Sequence, residues 1–382
     1  MEKKGDCVNT PPRYTITHIF IDNDNWHKYK LNHFELDLYR ISEIEKMLEC
    51  CDSKNGFIII HCKTCDEDRI IHFSCNSRIC PKCGQKYVKT WVVNITERMY
   101  DVDYSHIIFT LPKIIWDLIE GNWKCIGELY KVTFKVMKEV MQRVAKQKIT
   151  HGMIVAGHTF GKDVKWNVHF HSICTEGGLT KNGLWKGIYF FPYEIVRLKW
   201  KYASLKIIKK YIKLDFKEQL ALETVYHDYK SGFNVKRIKG KMKKKELAGY
   251  IARYIRHPAI SNRRIIDYDS NKVTIIIEDK YKKISWNEEF SVDNFMGRLI
   301  KHIPPKGFQV VRHYGIYSKR KYDKSRKYKG KQEIIQKFLG KKFIKCYKCG
   351  ENAEIIMFFK PNYWNNPPPN KVFGELISDW CS

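Results

Sequence analysis

The sequence predicts an α+β fold carrying a zinc-binding module, and three observations predict it. Short apolar runs such as SHIIFTL (105–111), HGMIVAGHTF (151–160) and NVHFHSIC (167–174) read as strands. Longer stretches, above all 116–148, repeat apolar residues at three- and four-residue spacing, the period of an amphipathic helix. Several cysteines come as Cys-x-x-Cys pairs, the spacing of a tetrahedral metal site.

Composition sets the bounds. A chain of 382 residues buries at least one substantial core and has room for two or three structural units. With 43% hydrophobic and 14% aromatic residues it is not a disordered chain. Lys and Arg number 70 against 41 Asp and Glu, a net charge of +29. That excess goes beyond solubility and points to a polyanionic partner, nucleic acid ahead of a membrane surface. No apolar run approaches the roughly 20 residues a bilayer span needs. The start, MEKKGDCVNTPPRY, lacks the apolar core of a secretory signal. Thirteen cysteines then read as metal ligands more than as disulfides.

The elements follow in order. Residues 36–47 read as a helix, and FIIIHC and RIIHFSC as β-like runs between cysteine pairs. Residues 86–100 are helical, 105–111 form a strand ended by Pro112, and 116–148 are helical. GKDVKW supplies the turn of a hairpin between 151–160 and 167–174. One or two helices cover 194–222, a strongly basic run covers 231–245, and 246–255 is helical. VTIIIED (273–279) is a strand and 291–301 a short helix. Residues 319–331, with eight basic residues and one acidic, read as an exposed arm. The expected organisation is a helical segment 1–49, a zinc module 50–100, a catalytic domain 101–320 and a basic C-terminal arm 321–382.

Cys62 and Cys65 are followed by Cys80 and Cys83, with fourteen residues between the pairs. Two such knuckles bring four thiolates within reach of one zinc, a closed site with a structural role. His72 and Cys75 lie between the pairs and could replace a ligand, and Cys50 and Cys51 are outside candidates. The plainer alternative is a set of free buried cysteines. Arg78, Lys82, Lys86 and Lys89 surround the module and suit contact with DNA. The pair Cys346 and Cys349 has no partner pair downstream; joining the first module, weak metal binding and inertness all stay open.

His169-Phe170-His171 places two imidazoles on one face of a strand, with Asn167 on the same side. A turn centred on 163–164 sets His158 opposite His169, a geometric candidate for a third ligand. Tyr250 and Tyr254 share one face of a helix at i and i+4. Alone, the histidine pair is as consistent with packing as with metal binding, and a tyrosine pair at this spacing more often packs than reacts. The setting adds Lys241, Lys243, Lys244 and Lys245 before the tyrosine helix and Arg253 within it, cations that attract a phosphate backbone. A phenol with a pKa near about 10 needs such a cation or a metal to attack phosphate.

These residues resemble a known family. CNSRICPKCGQKYVKTW is similar to the zinc module of the bacterial two-tyrosine transposases of the IS91 type, and HIIFTLP to their first core strand. HTFGKDVKWNVHFHSICTEGG resembles their histidine hairpin, YIARYIRHPAISNRRI their catalytic helix, and FMGRLIKHIPPKGFQVVRHYGIYS the close of their catalytic domain. The resemblance covers roughly 57–320 in the family's order. Two departures stand out: Trp166-Asn167-Val168 replaces a proline-rich approach, and the Lys-rich 225–245 stretch is longer.

The resemblance implies an HUH-type endonuclease, an antiparallel sheet with helices and a metal on one sheet face. It implies Tyr250 and Tyr254 as nucleophiles and His169 and His171 as ligands to Mg or Mn, with structural Zn in the cysteine module. The implied reaction is rolling-circle transposition, in which single-stranded DNA is nicked and rejoined through a 5′-phosphotyrosine. Lys319 and Arg320 of the arm, with Trp91 and Trp166 stacking on bases, would add DNA contacts. The implied setting is cytoplasmic, prokaryotic and nucleoid-associated, with no membrane and no small-molecule substrate. Two alternatives remain: a plasmid or viral rolling-circle replication initiator, and a non-catalytic zinc-dependent DNA-binding protein.

Overall fold

The computed structural model describes residues 12–188, 190–238, 246–249, 259–279, 284–318 and 343–359. Along the chain, α1 (Ile16–Ile21), α2 (Asn25–Asn32) and α3 (Leu38–Leu48) precede a hairpin of β1 (Phe57–Cys62) and β2 (Glu67–His72). Next come α4 (Pro81–Arg98), β3 (Tyr104–Thr110), α5 (Lys113–Leu118) and α6 (Trp123–Ala145). The strands β4 (Thr150–Phe160), β5 (Trp166–Leu179) and β6 (Trp185–Gly187) lead to α7 (Tyr193–Tyr211), α8 (Phe216–Asp228) and β7 (Val235–Ile238). The chain continues through β8 (Ile265–Tyr268), β9 (Lys272–Asp279), β10 (Ile284–Ser291), α9 (Val292–Lys301) and β11 (Val311–Gly315). A last hairpin joins β12 (Phe343–Lys345) and β13 (Asn352–Phe359). The fold is α+β, with antiparallel sheets and helices. No helix among the described residues is long and apolar enough to cross a membrane.

Two compact units divide the described chain. The first takes the residues up to Leu48 together with Ser77–Ser318; the second takes Glu49–Asn76 and the described C-terminal hairpin. The division cuts the expected 50–100 segment after Asn76 and joins its first part to the chain beyond residue 319.

The first unit is built on a sheet in the order β11-β4-β5-β3-β7, with β6 paired to β5. One face carries Met153, Val155, Val168, Phe170, Ile107 and Phe109 into a core with α6 and α7. On α6 the buried residues Ile126, Leu129, Tyr130, Thr133, Val136, Met137, Val140 and Met141 recur at helical spacing, so one stripe faces the sheet. The helix expected over 116–148 is two helices. Gly121, at φ +72, turns the chain, and Asn122 caps α6 by accepting from the Cys125 N–H at 2.9 Å. The opposite face carries Ile154, Ala156 and Ile173, covered by Ile95 of α4, by Met99 at its C-terminal cap, and by Leu247 and Ala248.

α4 starts at Pro81, earlier than residue 86, because proline at the first helical position loses no bond it would have made. The edge strand β7 lies inside the strongly basic run; Val235 is buried while Lys236 and Arg237 are exposed. Charged side chains suit an edge, where no further strand follows. A separate three-stranded sheet, β10-β9-β8, completes the unit.

The second unit is a four-stranded sheet in the order β12-β13-β1-β2. Its central pairing, β1 with β13, is antiparallel from Phe57↔Phe359 to His61↔Glu354, with a bulge between Ile59 and Ile60.

Candidate metal and nucleic-acid sites

The hairpin of β4 and β5 sets the first site. Gly161 N–H donates to the Lys165 carbonyl at 3.0 Å to close the turn, and the register places His158 opposite His169 and Ala156 opposite His171. Because strand side chains alternate, His158, His169 and His171 share the face that also carries Ile154, Ala156 and Ile173. Their ring centroids are 5.1 to 5.2 Å apart, at interplanar angles of 87°, 62° and 69°. Their ligand nitrogens lie within 4.8 Å of one another.

The set fits a metal ion. Three nitrogens each about 2.1 Å from one ion are at most about 4.2 Å apart, so small ring rotations suffice to bind. Burial pushes the His169 and His171 pKa values down, keeping both rings neutral as ligation requires. His169 Nδ1 lies 3.0 Å from the Asn167 carbonyl. A carbonyl only accepts, so Nδ1 carries the proton and Nε2 keeps its lone pair for a metal.

A fourth histidine was missed in the sequence. His106, on β3, sits diagonally across from His171, with its Nε2 3.1 Å from His171 Nδ1 and the rings stacked at 5.3 Å. Burial lowers its pKa to about 4. The signal was a strand histidine in phase with Ile108 and Thr110; what the sequence lacked was the pairing of β3 with β5.

Behind this face, Gly157 allows a close approach: a Cβ there would lie 2.2 Å from the Tyr130 hydroxyl. Tyr130 uses that space to donate to the Val310 carbonyl at 2.9 Å and to pack edge-on against Phe170. At the turn, His302 of the segment after α9 lies 3.0 Å from the Val164 carbonyl and 3.0 Å from the Thr159 hydroxyl. It also stacks on Trp166 at 5.5 Å. Trp166 is 8% exposed and packs against Trp123, so it is not a platform for stacking bases. The end of the hairpin folds under aromatic neighbours that the local sequence did not identify. Trp91 is half-buried and packs against the cluster around Ile95 and Met99.

The cysteines assemble differently from expectation. Cys62 and Cys65 are not gathered with Cys80 and Cys83. The sheet pairing of β1 with β13 brings Cys346 and Cys349 to them, and all four thiols lie within 4.8 Å of one another. The reason is topological: a strand from the far end of the chain inserts beside β1, which residue spacing cannot reveal. In the first unit, Cys80 caps α4 and Cys83 lies in its first turn; both are buried, with thiols within 4.8 Å of each other. In the second unit, the thiols of Cys50 and Cys75 are also within 4.8 Å.

Tyr250, Tyr254, Lys241, Lys243, Lys244, Lys245, Arg253, Lys319 and Arg320 lie outside the described residues, as does the arm at 319–331. Immediately before Tyr250, residues 246–249 are helical, and Leu247 and Ala248 pack on the sheet face that bears the histidines.

Two family models match the chain. One, described as "Putative transposase", covers residues 152–325; the other, "Transposase zinc-binding domain", covers 21–111 and carries IS91 in its name. The chain is similar to the transposase for insertion sequence element IS801 of Pseudomonas savastanoi pv. phaseolicola, 25% identical over 329 residues, covering 81% of this chain and 78% of that protein. It is also similar to "Putative transposase y4qJ" of Sinorhizobium fredii, 24% identical over 316 residues, covering 76% and 78%. No solved structure matches.

Proposed function

We propose that the chain is a two-tyrosine transposase of the IS91 type that nicks and rejoins single-stranded DNA in rolling-circle transposition, a reading supported by its similarity to both transposase family models and to the IS801 transposase. One observation carries the reading. Three convergent imidazoles occupy one sheet face, and the helical residues leading into Tyr250 pack on the same face.

His158, His169 and His171 would hold a Mg or Mn ion, which when bound polarises the scissile phosphate as a Lewis acid. The Asn167 carbonyl and His106 orient two of these rings. One of Tyr250 and Tyr254 loses its phenolic proton and attacks phosphorus. The Oη–P bond forms, the bond to the 3′ oxygen breaks, and that oxygen takes up a proton and leaves as the 3′-OH. A 5′-phosphotyrosine conserves the phosphodiester, so the reverse attack by a 3′-OH rejoins DNA without a nucleotide cofactor. The second tyrosine serves a second strand. Lys241, Lys243, Lys244, Lys245, Arg253, Lys319 and Arg320 neutralise the backbone of the bound strand. No part of this reaction needs a membrane or a small-molecule substrate.

Labelled single-stranded DNA carrying the element ends, incubated with protein and Mn and then denatured, tests this. Wild type is expected to retain label covalently, each single Tyr→Phe variant to lose part of the reaction, and Tyr250→Phe with Tyr254→Phe to lose it all. A double variant that cuts and links like wild type overturns the assignment.

A further inference from the structure

We propose that Cys62, Cys65, Cys346 and Cys349 bind one structural zinc ion, making the C-terminal Cys-x-x-Cys pair half of a zinc ribbon begun near the N-terminus. Neither family match reaches this pair: one ends at 111 and the other at 325.

The backbone builds two matching knuckles. The first, Cys62 to Asp66, is the turn between β1 and β2; the second, Cys346 to Gly350, is the turn between β12 and β13. In each, the residue after the second cysteine is left-handed, Asp66 at φ 50 and Gly350 at φ 73. At the second knuckle the Gly350 N–H donates to the Cys346 carbonyl at 3.0 Å, and the Cys346 N–H donates to the Glu351 carbonyl at 2.7 Å. The antiparallel register of β1 with β13, ending at His61↔Glu354, sets both turns at the same end of the sheet.

The sulfur positions fit zinc. Cys62 Sγ lies 3.6 Å from Cys349 Sγ, and Cys65 Sγ lies 3.9 Å from Cys346 Sγ. Four thiolates about 2.3 Å from a tetrahedral zinc stand about 3.8 Å apart along each edge. Both distances are far beyond a disulfide bond of about 2.05 Å. With four sulfur ligands the coordination is closed, so the ion's role is structural rather than catalytic.

Contacts between the two hairpins point the same way. Lys63 pairs with Glu354 at 2.9 Å, Lys348 pairs with Glu67, and the Arg69 guanidinium lies 4.3 Å from the centre of the Tyr347 ring. Among the described residues the buried cluster beneath them is small: Ile60, Cys62, Cys346 and Ala353, flanked by Ile58, Cys65 and Ile71. A metal is the usual staple for so small a sheet. The ligand pairs are separated by more than 280 residues, since Cys65 and Cys346 are 281 apart. Zinc here therefore closes a chain loop that contains Ser77–Ser318.

The test uses the full chain, purified under reducing conditions, with bound zinc measured per chain and cysteine alkylation followed by mass spectrometry. In wild type, Cys62, Cys65, Cys346 and Cys349 are expected to be protected together and to become reactive together when a chelator removes zinc. Cys346→Ser with Cys349→Ser is expected to lose one zinc equivalent, and adding Cys62→Ser and Cys65→Ser to lose no more. Replacing zinc with Co(II) in wild type, which needs no variant to fold, is expected to give the charge-transfer absorption of tetrahedral thiolate ligation. Protection at Cys346 and Cys349 is expected to survive Cys80→Ser with Cys83→Ser. Unchanged zinc in the Cys346→Ser, Cys349→Ser variant overturns the proposal. So does free reactivity of Cys346 and Cys349 in zinc-loaded wild type, or their recovery as a disulfide under reductant.

Discussion

His106 Nε2 lies 3.1 Å from His171 Nδ1, in a pair of stacked and buried rings. With His171 Nε2 directed to a metal, its Nδ1–H donates to His106, and burial keeps His106 neutral to accept. His106 is thus a positioning residue, and loss of such a partner typically costs about 10- to 100-fold in metal affinity. His106→Ala is expected to raise the Mn concentration for half-maximal DNA cleavage by about that factor, with the rate largely restored at saturating Mn. His106→Gln, which keeps an acceptor, should recover part of the loss. A lowered melting temperature with unchanged Mn dependence would mean that His106 only fills space.

The donor set also bears on which ion serves best. Three imidazoles, with no carboxylate grouped with His158, His169 and His171 among the described residues, favour transition metals over Mg. Cleavage is expected at distinctly lower Mn than Mg concentration. His158→Ala should raise the requirement for both, since it removes one of three ligands. Equal half-saturation by Mn and Mg, or a His158→Ala variant with wild-type metal dependence, would count against this three-histidine site.

How far the sequence reached depended on whether the information was local. The GKDVKW turn fixed the register of a two-stranded hairpin, so the pairing of His158 with His169 was legible from numbering alone. The apolar stripe of α6 was legible for the same reason, though its break at Gly121 was not. His106 was hidden because its role depends on β3 lying beside β5, a contact between residues 65 apart. The partner of Cys346 and Cys349 was hidden because β13 pairs with β1 from the other end of the chain. Trp166 was misread because nothing near it shows that His302 and Trp123 cover its ring.

Stability should fall in mild acid. His151 is buried against Phe134, and burial, with Lys138 nearby, lowers its pKa to about 3. For His302 burial wins as well, giving about 4; the Val164 carbonyl and Glu120 oppose the shift while Lys301 and Arg298 add to it. Unfolded histidine titrates near about 6.5. Above that pH neither state is protonated and neither group matters. Below it the unfolded chain binds protons that the folded chain refuses, so folding stability drops as pH falls towards 4 and then 3. Between pH 7 and pH 5 each group is expected to contribute a loss of about 2 kcal/mol. Urea unfolding at both pH values measures it, and His151→Leu should shrink the difference. A His151→Leu variant with the same loss on acidification would show that His151 is not its source.

Gly157 ties the back of the histidine face to α6. A methyl group there would lie 2.2 Å from the Tyr130 hydroxyl and 2.5 Å from its Cζ, inside any tolerable contact. Tyr130 has little room to retreat, since its hydroxyl donates to Val310 and its ring rests on Phe170 and Phe308. Overpacking of this kind costs about 1–3 kcal/mol. Gly157→Ala is therefore expected to lower unfolding stability by that amount and, because His158 is the next residue, to weaken Mn binding as well. Shortening the facing side chain in the double variant Gly157→Ala, Tyr130→Leu should restore part of the stability, making the pair less than additive. Strict additivity in that cycle would place the cost in the backbone of β4 rather than in its contact with Tyr130.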